Sequence, residues 1–528
     1  MSYARCQNMK DTHCSGRRPT VLESLIVLGA TVVILGISLL VLKKDVHIPL
    51  ILSSAFAALF GMFVLKYKWC AIEEGMFHGI MMSLQACIIL YIVGMLIGSW
   101  ILAGVVPTMI YYGLGLLSPS IFLLATLLIC SIVSLCTGTS WGTVGTVGLA
   151  IVGIGEGLGV PTGVTAGFVI SGAYMGDKMS PLSDTTNLAP AVAGTDLYQH
   201  IRAMCWTTIP TYLIVVAIAI VMGMGYSSGS LDGGKVDAIR LLMLKEFNIS
   251  PLGLLPPLLV LSLAVMKVPA IPGIFAGVLA GGAIAFMQGA SYSAFLDVLM
   301  GGYKPILSGA LVAASGNIAE LKILMSVNGL NSLTPELASY AGGVIAKLMG
   351  RGGLLSMNWT ISLILCALSF GGILERCGYV EVFLGLFVKK IKSAAGIVGA
   401  VLVSCFVTDL ITGAQYLAIA LPGRMFKKVF DDMGLDPSML SRSLEDSGTL
   451  TPVLIPWSTD GAFLMGIFGI HTFVYAPYAF LNWMNPIVAF AITFLGIGIR
   501  WKTADGGFVI AKQNPNELMV SEPEYSEN

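Results

Sequence analysis

The chain has 528 residues, 56% of them hydrophobic and only 11% charged, with 29 basic against 29 acidic side chains, and its mean hydropathy is +0.86. That composition excludes a soluble globular domain, and a net charge of zero supplies no basic surface for nucleic acid. It points to an all-α polytopic membrane protein with no large soluble domain.

A basic tail, residues 1–20 with Arg5, Lys10, Arg17 and Arg18, precedes the first apolar run. Val21 to Leu42 is long enough to span a bilayer, lacks the small-residue cleavage site of a signal peptide and ends in Lys43 and Lys44, so residues 21–44 read as a retained transmembrane helix. Further spanning windows run from Ile48 to Leu65, Ile80 to Leu102, Trp206 to Met224, Leu254 to Met266, Ile271 to Met287, Met357 to Leu374 and Tyr475 to Ile499. With the interrupted stretches, about eleven to thirteen membrane segments are expected. Arg500, Lys502 and Lys512 follow the last window, and basic tails at both ends place both termini in the cytoplasm. Ten cysteines are scattered without a Cys-x-x-Cys pair, as expected of free thiols filling core space. Cys6, His13 and Cys14 in the polar tail are not read as a metal site.

The chain repeats itself weakly. "IPLILSSAFAALFGMF" from Ile48 is similar to "IPGIFAGVLAGGAIAFM" from Ile271, and Gly98 and Gly104 match Gly372 and Gly378. Thr137-Gly138 matches Thr412-Gly413, "GLGVP" matches "GLDP", and Ser171-Gly172 matches Ser447-Gly448, all in the same order. The expected organisation is two inverted-topology repeats, residues 45–225 and 268–499. A polar connecting segment with a linking helix (226–267) joins them, an insertion lies near 315–353, and a tail covers 500–528.

Each half first carries an apolar stretch interrupted by small polar residues, "SLCTGTSWGTVGTVG" from Ser134 and "TDLITGAQ" from Thr408. Lys389, Lys390 and Lys392 stand before the second stretch and Arg424, Lys427 and Lys428 after it. A re-entrant hairpin with its tip near Thr412-Gly413 satisfies the charge bias at both ends. Each half then carries a segment broken by proline, Ser171 to Ala191 and Arg442 to Ala462, expected as discontinuous helices at the membrane midplane.

In the first break Pro181 removes a donor, and its ring would clash with the carbonyl of Asp177, so the helix must open. Opening frees carbonyls that hydrocarbon cannot satisfy and a small cation could. Ser183-Asp184-Thr185-Thr186-Asn187 offers caps for a second half-helix. The break gathers the hard oxygen donors an alkali cation prefers. Carboxylates at the bilayer centre cost about 3 kcal/mol each on insertion scales and are functional by default; the alternative is a solvated extramembrane loop. Asp177 and Asp184 are therefore the expected ligands of a small cation, with Ser183, Thr185, Thr186 and Asn187 as further ligands. Lys178 is expected to neutralise Asp177 or Asp184, and Pro181 to hold the break open. Thr137, Thr139 and Thr412 stand at the hairpin tips. Glu375, Asp409 and Asp460 complete the site or pair with Lys178 or Arg376. Trp141, Trp457 and Trp483 are read as packing or interface residues. Gly138 to Gly142 fits the G-x-S-x-G pattern of hydrolases, but a membrane segment denies it the strand-turn-helix context, so no enzyme is expected.

"GAYMGDKMSPLSDTTNLAPAVAGTD" resembles the signature of the NhaC family of sodium/proton antiporters, and "GGILERCGY", "TGAQYLAIALPG" and "SRSLEDSGTLTPVLIPW" resemble that family too. The resemblance runs from about Leu22 to Ile499. It implies a bacterial inner-membrane antiporter of the larger ion-transporter superfamily, whose folds pair hairpins with broken helices in two inverted repeats. Some relatives exchange malate and lactate with coupled sodium and protons, so organic anion exchange is the alternative; an anion is usually met by an arginine or by a half-helix N-terminus, which Thr185-Thr186-Asn187 could present, and Arg376 and Arg442 lie near segment ends. No cofactor is expected. The expected partners are the lipid bilayer, Na+ and H+, with homodimerisation left open.

Overall fold

The computed structural model describes residues 16–42, 44–227, 233–266, 268–388, 393–503 and 507–513. Cys6, His13, Cys14, Arg5, Lys10, Lys43 and the cluster Lys389, Lys390 and Lys392 lie outside the described residues.

In the first half, α1 (Val21–Gly36) opens on a capping box in which the Thr20 hydroxyl accepts from the Glu23 N–H and the Glu23 carboxylate accepts from the Thr20 N–H. Next come α2 (His47–Phe63), α3 (Trp69–Leu102), α4 (Val105–Leu116) and α5 (Pro119–Thr137). Beyond Gly138 lie α6 (Ser140–Thr143), a π turn (Val144–Gly148) and α7 (Leu149–Gly157), followed by α8 (Thr162–Met179), α9 (Asp184–Ala193) and α10 (Leu197–Ser227). The connecting segment forms α11 (Gly233–Glu246), which bends by 97° into the stretch containing α12 (Leu255–Val265). In the second half, α13 (Ala270–Met287), α14 (Tyr292–Gly301) and α15 (Ile306–Ala313) lead into the insertion, which forms α16 (Ile318–Val327) and α17 (Pro335–Met349). Then come α18 (Asn358–Arg376), α19 (Tyr379–Val388), α20 (Ala394–Thr412), α21 (Gln415–Asp432), α22 (Pro437–Leu444) and a π turn (Glu445–Thr449). The last helices are α23 (Thr459–Phe468), α24 (Thr472–Tyr475) and α25 (Phe480–Phe494).

The chain is not wholly helical. β1 (Arg500–Lys502) and β2 (Phe508–Ile510) pair antiparallel with Arg500 opposite Ile510. Arg500 is buried there and donates to the Gln199 carbonyl at 3.2 Å, so the tail expected from residue 500 begins as an ordered ribbon against the helical body. Among the described residues, five helices are long and apolar enough to cross a membrane, or up to eight if three sharply bent pairs each count as one span. Shorter apolar helices such as α2, α13 and α25 account for much of the larger number expected from hydropathy windows.

Two devices set the geometry. The first joins the halves: α3 packs on α18 through Gly75, Gly79 and Gly372, where a Cβ on Gly372 would stand 2.1 Å from the Gly75 carbonyl oxygen and one on Gly79 2.0 Å from that of Leu368. Only hydrogen side chains let the backbones meet so closely. The second is a corner beside a break, present in each half. α5 and α20 end in Gly138 and Gly413, at φ +69° and +67°. Gly138 lies against Leu182 and Gly413 against Trp457 and Ser458. These contacts fall in Pro181-Leu182-Ser183 and Pro456-Trp457-Ser458, and each serine caps the half-helix that follows, Ser183 accepting from the Thr186 N–H and Ser458 from the Gly461 N–H.

Gly372→Val should cost about 1–3 kcal/mol or more through overpacking, whereas Gly29→Ala, with open space around the added carbon, should be neutral or gain up to about 1 kcal/mol of helix propensity. Thermal unfolding in detergent checks both. A Gly372→Val protein as stable as the parent contradicts the close contact of α3 and α18.

Candidate functional site

α8 stops at Met179, ahead of Pro181, and α9 starts at Asp184 on its Ser183 cap. The turn between them is more completely satisfied than its proline suggested. The Asp177 carbonyl accepts from the Ser180 N–H at 3.0 Å and from Thr186 Oγ1 at 3.2 Å, and the Lys178 carbonyl accepts from the same hydroxyl at 3.0 Å. Asn187 Nδ2 donates to the carbonyls of Pro181 and Ser183 at 3.0 and 2.7 Å. The expectation of a bare Asp177 carbonyl waiting for a cation is thus corrected, because Thr186 and Asn187 occupy themselves in closing the break.

Beside the turn lies a cavity of about 450 Å³. The first break lines it with Asp177, Leu182, Ser183, Asp184 and Thr185, and the first corner with Thr137, Gly138, Thr139, Ser140 and Trp141. α3 contributes Ser83 and Gln85, and the second half contributes Leu368, Ala414, Gln415, Tyr416 and Thr459. Asp177 is 8% exposed, and its carboxylate accepts from the Ser140 N–H at 3.0 Å and the Ser140 hydroxyl at 2.7 Å. Asp184 is exposed where it borders the same space, and the hydroxyls of Ser183 and Thr185 are 3.1 Å apart. Among the described residues that line the cavity none is Lys, Arg or His. Two carboxylates, several hydroxyls and two amides make a chamber chemically suited to a cation.

Lys178 turns away from this space. It is fully buried and forms an ion pair with Asp446 of the π turn Glu445–Thr449, not with Asp177 or Asp184. Neighbours on a helix point about 100° apart, so the aspartate faces the cavity and the lysine the interior. Asp446 Oδ1 also accepts from Thr207 Oγ1 at 2.9 Å and Asn485 Nδ2 at 2.8 Å. Arg442, likewise buried, holds its Nε 3.7 Å from Asp446 Oδ2 and donates to Thr493 Oγ1 at 2.9 Å.

The remaining candidates do not line the cavity. Asp409 is buried and accepts from Thr451 Oγ1 at 2.8 Å. Asp460, also buried, accepts from Trp141 Nε1 at 3.0 Å and from the Tyr174 hydroxyl. Thr412 Oγ1 donates to the Thr408 carbonyl at 2.8 Å and accepts from the Ala414 N–H at 3.3 Å, which makes it part of the corner. Glu375 ends α18 beside Arg376, whose partner is Glu74 at 2.7 Å. Sequence reasoning assigned no role to Ser140, Gln415, Tyr416, Glu445 or Asp446. For Asp446 a signal existed: it follows Arg442 by four residues, the spacing of a helical ion pair. Glu445 is buried beside Thr185 and Thr449.

A sequence model of the Na+/H+ antiporter family matches residues 172–332 and 298–497. The chain is 37% identical over 483 residues to the Na(+)/H(+) antiporter NhaC of Alkalihalophilus pseudofirmus, covering 92% of this chain and 97% of that one. It is 37% identical over 490 residues to the malate-2H(+)/Na(+)-lactate antiporter of Bacillus subtilis, covering 92% and 96%. It is 33% identical over 489 residues to the arginine/ornithine antiporter ArcD of Halobacterium salinarum, covering 92% and 93%.

Asp446→Asn leaves two buried cations, Lys178 and Arg442, without their carboxylate and should cost about 3–5 kcal/mol. Lys178→Met leaves Asp446 the guanidinium of Arg442 at 3.7 Å and its bonds from Thr207 and Asn485, and should cost less. Chemical denaturation in detergent measures both, and an Asp446→Asn protein at least as stable as Lys178→Met would show that the carboxylate does not balance the two cations.

Proposed function

Because the chain belongs to the Na+/H+ antiporter family, we propose that it exchanges sodium for protons at the cavity beside the first break, with Asp177 and Asp184 as the groups that carry either cargo. The chain is a multi-pass membrane antiporter. The observation behind the location is a buried and an exposed aspartate bordering one cavity that no described basic side chain lines. A carboxylate oxygen that coordinates a bare cation must give up its proton, so cation binding and protonation compete. Protons displace sodium on the side where they are concentrated, and sodium displaces protons on the other. Ser183 and Thr185 add neutral oxygens to the first shell of the ion. Ser140 holds Asp177 in place through two hydrogen bonds, which also gives the G-x-S-x-G match a role in transport rather than hydrolysis.

The proposed architecture is two inverted repeats, residues 45–225 and 268–499, each a re-entrant hairpin turned at a Thr-Gly corner and a helix broken at Pro-x-Ser. Recurrence of both features in the same order and contact supports it. Alternating access then comes from one bundle rocking against the other. The basic tails support a bacterial inner-membrane location with both termini cytoplasmic.

Exchange of an organic anion, the activity in the name of the Bacillus subtilis relative, finds less support. Arg442 is committed within the interior and Arg376 pairs with Glu74, so neither offers a guanidinium to the cavity.

In proteoliposomes, Asp177→Asn and Asp184→Asn should each abolish sodium-driven proton movement while the protein still folds and inserts. Normal exchange by both variants would move the carriers elsewhere. Thr185→Val should raise the apparent KM for sodium several-fold with little change in maximal rate, because it removes a ligand and spares the proton carriers. In the range where one proton competes with sodium, the apparent KM should rise about tenfold for each unit fall in pH; initial rates over a sodium and pH grid test this, and a KM independent of pH argues against competition.

A further inference from the structure

Trp141 lines the cargo cavity and also a second, smaller chamber of about 60 Å³. That chamber continues past Gly142, Thr143 and Thr146 to α12 and α13, and has room for a few waters at about 10–15 Å³ each. Ile89, Thr137, Thr139 and Val268 border both spaces as well, and the indole is the largest side chain of that shared wall. Its own half does not fix the ring's polar end. Trp141 Nε1 donates to Asp460 Oδ1, 319 residues away, at 3.0 Å, and the ring stacks on Phe463 with centroids 4.3 Å apart and planes 11° apart. Both partners belong to α23, the half-helix after the second break. Asp460 is fully buried and is itself held by the Tyr174 hydroxyl and by Thr459 Oγ1 at 3.1 Å. The Thr459 N–H donates to the Gly413 carbonyl at 2.9 Å, which ties this carboxylate to the second corner.

We propose that the Trp141 indole is a movable partition between the cargo cavity and the smaller chamber, and that Asp460 is the positioning residue that latches it shut from the other half of the molecule. Cargo leaves the cavity by that chamber when the two halves shift and Nε1 comes off the carboxylate. The latch thereby prevents sodium from crossing unless the halves have moved. A packing tryptophan would need only an apolar neighbour, and Phe463 supplies that. A buried carboxylate aimed at its one polar atom adds direction and a bond that can break. The proposal rests on sodium/proton exchange at the cavity, as set out above.

The test compares purified variants in proteoliposomes by the ratio of sodium moved to protons moved. Asp460→Ala and Trp141→Phe should each raise that ratio at least fivefold, because sodium then leaks without a returning proton, and the double variant should leak no more than either single one. Asp460→Asn should keep the parent ratio, since its amide oxygen still accepts from the indole and from Tyr174. A folded Asp460→Ala protein with the parent ratio overturns the latch. So does an Asp460→Asn protein as leaky as Asp460→Ala, because the charge rather than the hydrogen bond would then matter. If Asp460→Ala fails to insert, Trp141→Phe, which keeps an aromatic ring against Phe463, decides the question in the same way. A readout independent of transport is the labelling rate of Thr146→Cys by a water-soluble thiol reagent, counted above the labelling of the native cysteines. Loss of the latch should speed it at least fivefold, and an unchanged rate overturns the partition. Absence of sodium movement by the parent protein would refute exchange itself and leave this labelling comparison intact.

Discussion

Away from water, every peptide group released from a helix and every charge must find its partner within the protein, and both breaks are built around that demand. In the first, Thr186 and Asn187 take the carbonyls that Pro181 sets free. In the second, Ser458 Oγ donates to the carbonyls of Pro452 and Ile455 at 2.6 and 2.9 Å. Gln415 serves Thr449 there, and Asn482 serves Leu450, each at 3.0 Å. With these backbone oxygens already engaged, carboxylates, hydroxyls and amides dominate the chemistry facing the cavity. At the proposed site, specificity for the cargo would then rest on side chains more than on these carbonyls.

The same demand binds the two halves together. Lys178 could not remain buried without Asp446, nor Asp446 without Lys178, Thr207, Asn485 and Arg442 around it. Glycine contacts between α3 and α18 make a second joint, apolar and insensitive to charge. Trp141 on Asp460 makes a third. The cavity sits among these joints, which is why residues from both halves line it although its aspartates come from one.

What could be read from the sequence was what is local in it. Pro181, the Ser183 cap and the two aspartates lie within a few residues of one another, and helix-breaking chemistry alone sets them around one turn. The Thr-Gly corners were visible because φ near +70° strongly favours glycine. Partnerships over long separations were not visible. Lys178 and Asp446 are 268 residues apart, and nothing in either segment names the other, so the lysine was assigned to the nearest acids. Thr186 and Thr185 are equivalent as letters; only the path of the turn gives one hydroxyl to the backbone and the other to the cavity. The short ribbon after Arg500 escaped notice because three-residue strands leave no periodic pattern.

Asp177 and Lys178 are consecutive, yet one addresses the cavity and the other the opposite half. Their peptide bond makes the last turn of α8 a keyed shaft. Turning it to swing the carboxylate would draw the ammonium out of a dry socket, at the cost of stranding two charges. Small rotations of that turn are therefore forbidden as a way of reshaping the cavity. The end of α8 and the π turn Glu445–Thr449 thus resist turning against each other, and the shift that frees the Trp141 indole is easiest where no buried charge has to be parted.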